Sequence, residues 1–400
     1  MSDKKTLFFV MLLIATVHCF SDIYAPFLLD IGQDFGVDET APQFSLAIFM
    51  IGVAFSQLFY GVFSDSFGRK RAILLGSWVV LGGSIVSVLS QSMNVFILGR
   101  LIQGCGAGAY SVMWRGVLRD RFSGNALIRY GSWVTLVFVL FITGSPFLGN
   151  VIADFARHFG VLLSEWRVVF IVLTLMGFLL LTSVWLAFQE TNQDIKCSLW
   201  NLNSVQSMFK GLFQDKHFMC LCFCVLCTFG SFFSWFVVGP IFVPKLLLKD
   251  EMVFSTQTLL VGGSMMFLAT VMNTRIVGRW GIDAMLRLGW ALMSLGGCVL
   301  LVVALMDMLS VFSLFFALGV FIFGSGFIYP NLFARVMEPY GHQAGIAGSI
   351  YGFVQMLGAG IASSIMAITP ETTVIPYAVI LILGGLAPQM MYHYGYVKTR

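Results

Sequence analysis

The stretch GVFSDSFGRKR, residues 61–71, lies between two long apolar runs, 43–63 and 71–90, and ends in three consecutive basic residues. A helix that crosses the hydrocarbon of a bilayer needs about 20 apolar residues, and each flanking run has that length. Gly61 and Gly68 favour a tight turn, and basic residues in short loops favour the cytoplasmic side. The stretch therefore predicts a short cytoplasmic loop between two membrane helices.

The rest of the chain repeats this pattern. Its 400 residues are 58% hydrophobic and only 10% charged, with a mean hydropathy of +0.90, whereas soluble domains carry about 25% charged residues. Charged and Gly/Pro-rich breaks separate twelve apolar runs, at about 7–29, 43–63, 71–90, 95–117, 130–153, 168–188, 217–241, 255–277, 285–306, 309–331, 344–367 and 374–394. We therefore predict an all-α polytopic membrane protein with twelve transmembrane helices.

Only one connection, at about 189–216, is long and polar, and it divides the twelve spans into two groups of six. We predict an N-terminal six-helix bundle over 1–190, a cytoplasmic central loop over 191–215 and a C-terminal six-helix bundle over 216–400. Of the 23 Lys and Arg residues, 18 lie on the side of the N-terminus, four on the other side, and Arg100 within a span. This asymmetry predicts that both termini and the central loop are cytoplasmic.

The two halves also resemble each other at equivalent loops. The loop after span 8, TRIVGRWGIDA at 274–284, aligns with GVFSDSFGRKR when Gly281 is placed opposite Gly68. Two related halves with a pathway between them are the plan of a secondary transporter. A channel or a membrane enzyme does not require this duplication.

At this point the loop signature resembles that of the major facilitator superfamily, which has Gly, an acid four residues on, a second Gly and then bases. The resemblance implies the fold of that superfamily and a charge cluster that latches one conformation on the cytoplasmic side. The alternative reading is an ordinary positively charged cytoplasmic loop. The candidate gating residues are Gly61, Asp65, Gly68, Arg69, Lys70 and Arg71.

The stretch LGRLIQGCGAGA, residues 98–109, resembles the fourth-span signature of the same superfamily. Gly104 and Gly108 form a small-xxx-small face that allows close helix contact. Arg100 lies about 9 Å from the outer face, and Asp22, in the first span, lies about 12 Å from it. An acid and a base at matched depth suggest a buried pair or a relay, although an arginine can also reach the surface by snorkelling.

The family resemblance implies that Asp22 alternates between a proton and a cationic or polar substrate, with Arg100 as its electrostatic partner. Burial favours the neutral form of a carboxyl group and a nearby guanidinium favours the ionised form, so protonation can depend on which side the cavity faces. His18 lies one turn earlier on the same helical face; it extends the proton route, binds a polar ligand group or bonds to a backbone carbonyl. Pro26 predicts a kink in the outer third of span 1.

The stretch TGSPFLGN, residues 143–150, resembles the fifth-span signature typical of antiporters. Its Gly144, Pro146 and Gly149 are expected to bend the helix and let span 8 approach, while Asn150 stands where the family usually has Gly. Further stretches, among them DIYAPF, RGVLRDRF, EWRVVF, VVGPIFV and YPNLFARVME, look like the Bcr/CflA branch of drug:proton antiporters. The resemblance runs from about residue 20 to 365.

The resemblance implies that spans 1, 4, 7 and 10 line the transport path. The polar and aromatic residues of these spans and of span 11 are therefore candidates for the substrate cavity. They are Tyr24, Tyr110, Trp114, Phe232, Trp235, Tyr329, Gln355 and Tyr351.

The resemblance implies a secondary transporter, and we expect the protein to export small organic compounds in exchange for protons across a bacterial inner membrane, as a monomer surrounded by lipid. No GxxxxGK[ST] stretch occurs, so ATP is not the direct energy source; no cofactor, metal or nucleic acid is expected. The run CLCFCVLC, residues 220–227, is interpreted as buried small apolar residues. The alternatives are a narrow-range carrier of a metabolite or siderophore, in either direction, and more remotely a membrane enzyme or a sensor.

Overall fold

The computed structural model describes residues 2–122, 124–192 and 210–397, and over these residues every regular element is helical. Helices dominate because hydrocarbon offers no partner for backbone N–H and C=O groups, which must bond within the segment. The helices are Asp3–Asp22 (α1), Leu28–Phe35 (α2), Thr40–Phe67 (α3), Arg69–Val88 (α4), Met93–Arg121 (α5), Gly124–His158 (α6), Glu165–Ala187 (α7), Lys216–Phe233 (α8), Trp235–Leu247 (α9), Glu251–Gln257 (α10), Ser264–Leu305 (α11), Val311–Met337 (α12), Ala344–Ala367 (α13) and Ile375–Met391 (α14).

Eleven of the described helical stretches are long and apolar enough to cross a membrane. The stretch Glu251–Leu305 has 55 residues, which makes it about 80 Å long against a hydrocarbon thickness of about 30 Å. It is interrupted at Gly281, where the backbone has φ 79° and ψ 162°. It therefore contains two of the predicted spans, and the prediction of a twelve-span all-α protein is confirmed.

The chain divides into two compact units. One unit comprises Met1–Gly211 together with Gln343–Phe353, and the other comprises Leu212–His342 together with Val354–Arg400. The predicted boundaries of the two six-helix bundles stay a prediction, and most of the predicted central loop lies outside the described residues.

In the first unit, glycines bring α5 into backbone contact with α3. A Cβ added to Gly104 would lie 2.2 Å from the carbonyl oxygen of Phe49, and one added to Gly108 would lie 2.0 Å from Oγ of Ser56. The small-residue face predicted for span 4 is thus confirmed. Arg100 lies one turn from Gly104 on the same helix, and this close packing places its guanidinium beside α1 and α3.

The first span is not one continuous helix. The α1 helix ends at Asp22, a single 3₁₀ turn covers Ala25–Phe27, and α2 begins at Leu28. Pro26 has no N–H group to donate to the carbonyl of Asp22. The N–H group of Phe27 bonds to the carbonyl of Tyr24 at 2.9 Å, which is the tighter 3₁₀ pattern. The kink predicted from Pro26 is confirmed, and it takes the form of a break directly after Asp22.

The two loops that align in the sequence, 61–71 and 274–284, share an unusual backbone conformation at their aligned glycines. Gly68 has φ 100° and ψ 156°, and Gly281 has φ 79° and ψ 162°. Only glycine adopts this region readily, because a Cβ atom would clash with the backbone. The alignment of Gly68 with Gly281 is therefore confirmed by the local structure of each unit.

Candidate functional site

The break in the first span is capped by Arg100. This residue is fully buried; its Nη1 donates to the carbonyl of Phe20 at 2.8 Å and its Nη2 to the carbonyl of Ser21 at 3.3 Å. Both carbonyls lie in the last turn of α1, where the helix dipole places partial negative charge. The guanidinium therefore satisfies carbonyl groups that the break leaves without helical partners.

Aromatic rings and a glutamine complete the surroundings of Arg100. Its guanidinium carbon lies 4.5 Å from the ring centroid of Tyr24 and 4.2 Å from that of Phe49, distances typical of cation–π contacts. Nη1 also donates to Oε1 of Gln103 at 2.6 Å, and Nε2 of Gln103 donates to Oγ of Ser84 at 2.8 Å. The positive charge is thus held by dipoles and ring faces from α1, α3, α4 and α5.

Asp22 is fully buried at the end of α1, and neither of its carboxyl oxygens has a hydrogen-bond partner. The hydroxyl of the adjacent Ser21 donates to the carbonyl of His18 at 3.1 Å instead. A buried carboxylate without partners is strongly disfavoured. This environment favours the uncharged acid in the conformation described here.

The direct Asp22–Arg100 pair suggested by the sequence is not among the ion pairs of the described residues. The reason is competition: the break frees backbone carbonyls one and two residues before Asp22, and these take the guanidinium donors. Arg100 is therefore close in space to Asp22 but bonded to the backbone beside it. Sequence reasoning singled out both residues, which are fully buried, and missed this choice of partner.

Two other predicted residues lie beside the break. The ring of His18 is buried with its centroid 4.8 Å from that of Phe138 in α6, and the three roles considered for it stay open. The hydroxyl of Tyr24 lies 2.7 Å from Oγ of Ser45. Tyr24 therefore packs as part of the Arg100 environment, and its predicted contact with substrate stays a prediction.

The stretch that resembles an antiporter signature lies in α6, which contains Pro146. A Cβ added to Gly149 would lie 1.9 Å from the carbonyl oxygen of Ile23. Gly144 and Pro146 are buried one turn earlier. Within its unit, this stretch therefore contacts the break in the first span, a neighbour that the sequence did not identify.

The predicted gating loop forms a charge cluster on the first unit. Arg69 forms an ion pair with Asp65, and its Nε donates to Oδ2 of Asp120 at 3.0 Å. Nη1 of Arg69 also donates to Oγ of Ser64 at 2.7 Å. Asp120 was missed by the sequence analysis; the available signal was its position as the single acid in the basic stretch RGVLRDRF.

A second acid, Glu190, caps the start of α4. Its Oε1 accepts from the backbone N–H of Arg69 at 2.9 Å, and its Oε2 accepts from that of Lys70 at 3.0 Å. A Cβ added to Gly68 would lie 2.4 Å from Oε2, so glycine is required for this cap. The sequence gave no signal for Glu190, because it lies about 120 residues further along the chain.

The remaining predicted gating residues, Lys70, Arg71 and Gly61, lie outside the cluster formed by Arg69 and its acidic partners. Nζ of Lys70 donates to the carbonyl of Trp185 at 3.0 Å, and Arg71 is exposed. A Cβ added to Gly61 would lie 2.9 Å from Cβ of Ser349, in the Gln343–Phe353 segment of the same unit. Asp65, Gly68 and Arg69 are thus brought together around Asp120 and Glu190, while Gly61 serves close packing.

The other predicted cavity residues of the first unit lie along or near α5. Tyr110 is fully buried, and its hydroxyl donates to Oγ of Ser77 in α4 at 3.0 Å. Trp114 is partly buried, with its ring centroid 4.7 Å from the guanidinium carbon of Arg115. Tyr351 is buried in α13. A substrate contact for these residues stays a prediction.

In the second unit, Phe232 and Tyr329 belong to one aromatic cluster, with ring centroids 6.0 Å apart. Trp235 is buried, and its Nε1 donates to Oγ1 of Thr258 at 2.9 Å, so its polar atom is already bonded. Gln355 is buried with no hydrogen-bond partner for Oε1. The structure thus brings Phe232 and Tyr329 together and leaves an acceptor on Gln355; contact with substrate stays a prediction for all four.

Over the described residues, no group of three or more His, Cys, Asp and Glu side chains could hold a metal ion. In the cysteine-rich run, Sγ of Cys220 donates to the carbonyl of Met391 at 3.3 Å and Sγ of Cys224 to that of Pro388 at 3.4 Å. Both thiols are buried in packing between α8 and the end of α14. These contacts agree with the interpretation of the run as small buried residues.

Comparison with known proteins matches most of the chain to one superfamily and to proteins named for drug resistance. The sequence profile of the Major Facilitator Superfamily matches residues 10–363. A bicyclomycin resistance protein homolog of Haemophilus influenzae is 31% identical over 357 residues, covering 89% of this chain and 87% of the relative. Multidrug resistance protein D of Escherichia coli is 23% identical, covering 96% and 94%, and a chloramphenicol resistance protein of Pseudomonas aeruginosa is 24% identical, covering 90% and 83%.

Solved structures show the same fold at low sequence identity. The xylose transporter XylE from Escherichia coli, in a partially occluded inward-open conformation, superimposes with a TM-score of 0.73 at 14% identity. The match covers 97% of this chain and 96% of that one. At this identity the likeness concerns the fold alone.

Proposed function

The chain belongs to the Major Facilitator Superfamily, in the branch of the bicyclomycin resistance proteins, and from this we propose that it exports small organic compounds in exchange for protons. Members of this superfamily are secondary transporters, so the alternatives of a membrane enzyme and of a sensor are set aside. Relatives named for resistance to bicyclomycin, to chloramphenicol and to multiple drugs support export of such compounds. A narrow-range carrier of a metabolite or siderophore is the remaining alternative.

The observation that carries this proposal is the unpartnered carboxyl of Asp22 at the break of the first span. Discontinuous helices within the membrane commonly form substrate and ion sites in transporters. In the packed conformation neither carboxyl oxygen of Asp22 has a partner that would stabilise a negative charge, whereas water reaching the site in another conformation would stabilise the ionised form. Arg100 holds the break through the backbone, so the acid can change charge without losing an ion pair.

The test is accumulation of candidate compounds in inverted membrane vesicles, with bicyclomycin, chloramphenicol and a set of lipophilic cations as probes. We expect accumulation that requires an imposed proton gradient and stops when an uncoupler is added. Uptake that ignores the gradient would contradict proton coupling. Accumulation of one compound from a broad panel would favour the narrow-range alternative.

We also propose that the protein resides in a bacterial inner membrane, with both termini and the central loop in the cytoplasm, as the basic residues indicate. In a variant without native cysteines, a cysteine at Ser198 should resist an impermeant thiol reagent in intact cells. A cysteine at Gly36, after α2, should react with it. Labelling at Ser198 and protection at Gly36 would reverse the orientation.

The cluster of Asp65, Arg69, Asp120 and Glu190 is proposed to act as the latch that the family resemblance implies. Asp65→Asn removes one acid from the pair with Arg69 but leaves the cap by Glu190, so the protein should still fold. We expect lower transport and faster labelling of cysteines introduced on the cytoplasmic side. A transport rate equal to that of the wild type would reduce the cluster to a determinant of orientation.

A further inference from the structure

The break in the first span removes the regular helical partners of four consecutive backbone carbonyls, those of residues 20 to 23. Arg100 bonds those of Phe20 and Ser21. Pro26 cannot donate to that of Asp22. The carbonyl of Ile23 faces Gly149 of α6.

The contact between Gly149 and Ile23 is closer than any other made by a described glycine. A Cβ at this position would lie 1.9 Å from the oxygen of Ile23 and 3.1 Å from its carbonyl carbon. The obstacle is backbone and not a flexible side chain, so no rotamer change removes it. The hydrogen that takes the place of this Cβ points at the oxygen, which is the arrangement of a weak C–H···O contact.

The helix that contains Gly149 lacks hydrogen bonds close to this contact. Pro146 lies three residues before it and leaves the carbonyl of Ile142 without its helical N–H partner. Ser145, fully buried beside Pro146, has a hydroxyl without a hydrogen-bond partner. Proline within a helix is a common cause of bending, so α6 can bend one turn away from the point where it touches the first span.

We propose that Gly149 is a positioning residue for Asp22: its contact with the carbonyl of Ile23 holds the break closed around the carboxyl, and bending of α6 at Pro146 releases it. Ile23 directly follows Asp22 in the chain, so displacing this carbonyl moves the peptide that carries the acid. The inference rests on the proposed role of Asp22 and adds to it a contact that controls the access of water to the carboxyl group. Through this contact, bending of α6 controls whether the carboxyl group of Asp22 is exposed to water.

The test compares Gly149→Ala with Gly131→Ala, a control on the same helix. A Cβ at Gly131 has nothing within 4 Å, so both variants gain the same methyl group and the same helix propensity. Purified proteins are treated at about pH 4, where an aspartic acid exposed to water is still largely protonated, with a hydrophobic carbodiimide, which adds to a protonated carboxyl group. The adduct on Asp22 is quantified by mass spectrometry. We expect labelling to be about fivefold faster in Gly149→Ala, as a modest shift in local opening produces, and unchanged in Gly131→Ala.

A second readout separates positioning from simple loss of structure. In vesicles, Gly149→Ala should lower gradient-driven transport more than substrate exchange, whereas a general defect lowers both equally. If Gly149→Ala does not yield folded protein, Ile23→Gly is the second variant: it keeps the carbonyl but adds backbone freedom at the contact, so Asp22 should also be labelled faster. Equal labelling of Asp22 in the folded variants and the wild type would overturn the inference, whether or not Asp22 proves to couple protons.

Discussion

Asp22→Asn should abolish gradient-driven transport and leave a folded protein. Asparagine has nearly the shape of aspartic acid but cannot bind and release a proton. The site already favours an uncharged side chain, because neither carboxyl oxygen has a partner, so the amide should be accommodated with little loss of stability. Exchange of substrate across the membrane without a gradient should continue.

The measurement is accumulation in inverted vesicles with and without a proton gradient, together with counterflow of labelled substrate. The matched control is Asp30→Asn, in α2 beyond the break of the same span, where the acid is only partly buried. The control should retain gradient-driven accumulation, and Asp22→Glu should retain part of it. Wild-type accumulation by Asp22→Asn would show that the acid is structural and that coupling lies elsewhere.

Arg100→Ala should produce the largest loss of stability of any single change in the site. It removes the donors to the carbonyls of Phe20 and Ser21 and to Oε1 of Gln103, and it leaves a cavity between two aromatic rings. Each buried acceptor left without a donor costs about 1–3 kcal/mol. The free energy of unfolding should therefore fall by about 3–5 kcal/mol, the range for removing one partner from a buried charged group.

The control for this prediction is Arg157→Ala. Arg157 is exposed and forms ion pairs with Asp154 and Glu165; pairs between exposed side chains contribute about 0–1 kcal/mol. Unfolding midpoints in detergent should separate the two variants clearly. Arg100→Lys should be intermediate, because an ammonium group cannot reproduce the planar fork that reaches both carbonyls. Equal midpoints for Arg100→Ala and Arg157→Ala would refute the capping role.

Much of the fold could be predicted because its determinants are local in the sequence. The length of an apolar run decides whether it spans the membrane, so twelve spans follow from the runs themselves. Pro26 predicts the break in the first span, and Gly104 and Gly108 predict the close face of α5, because each effect depends on one residue and its own backbone. The burial of Asp22 and Arg100 follows in the same way, because each lies inside a run long enough to span the membrane.

The partners of these residues were decided only by the tertiary structure. Arg100 bonds to carbonyls of a helix about 80 residues away, and Glu190 caps a helix about 120 residues away. Gly149 meets the carbonyl of Ile23 at a comparable separation along the chain. A sequence gives the depth of a side chain in the membrane, but the rotation of each helix about its axis and the identity of its neighbours come from packing all the helices together. The sequence by itself therefore determined the spans, the break and the buried acid, while packing decided that the guanidinium bonds to the backbone and leaves the acid unpaired.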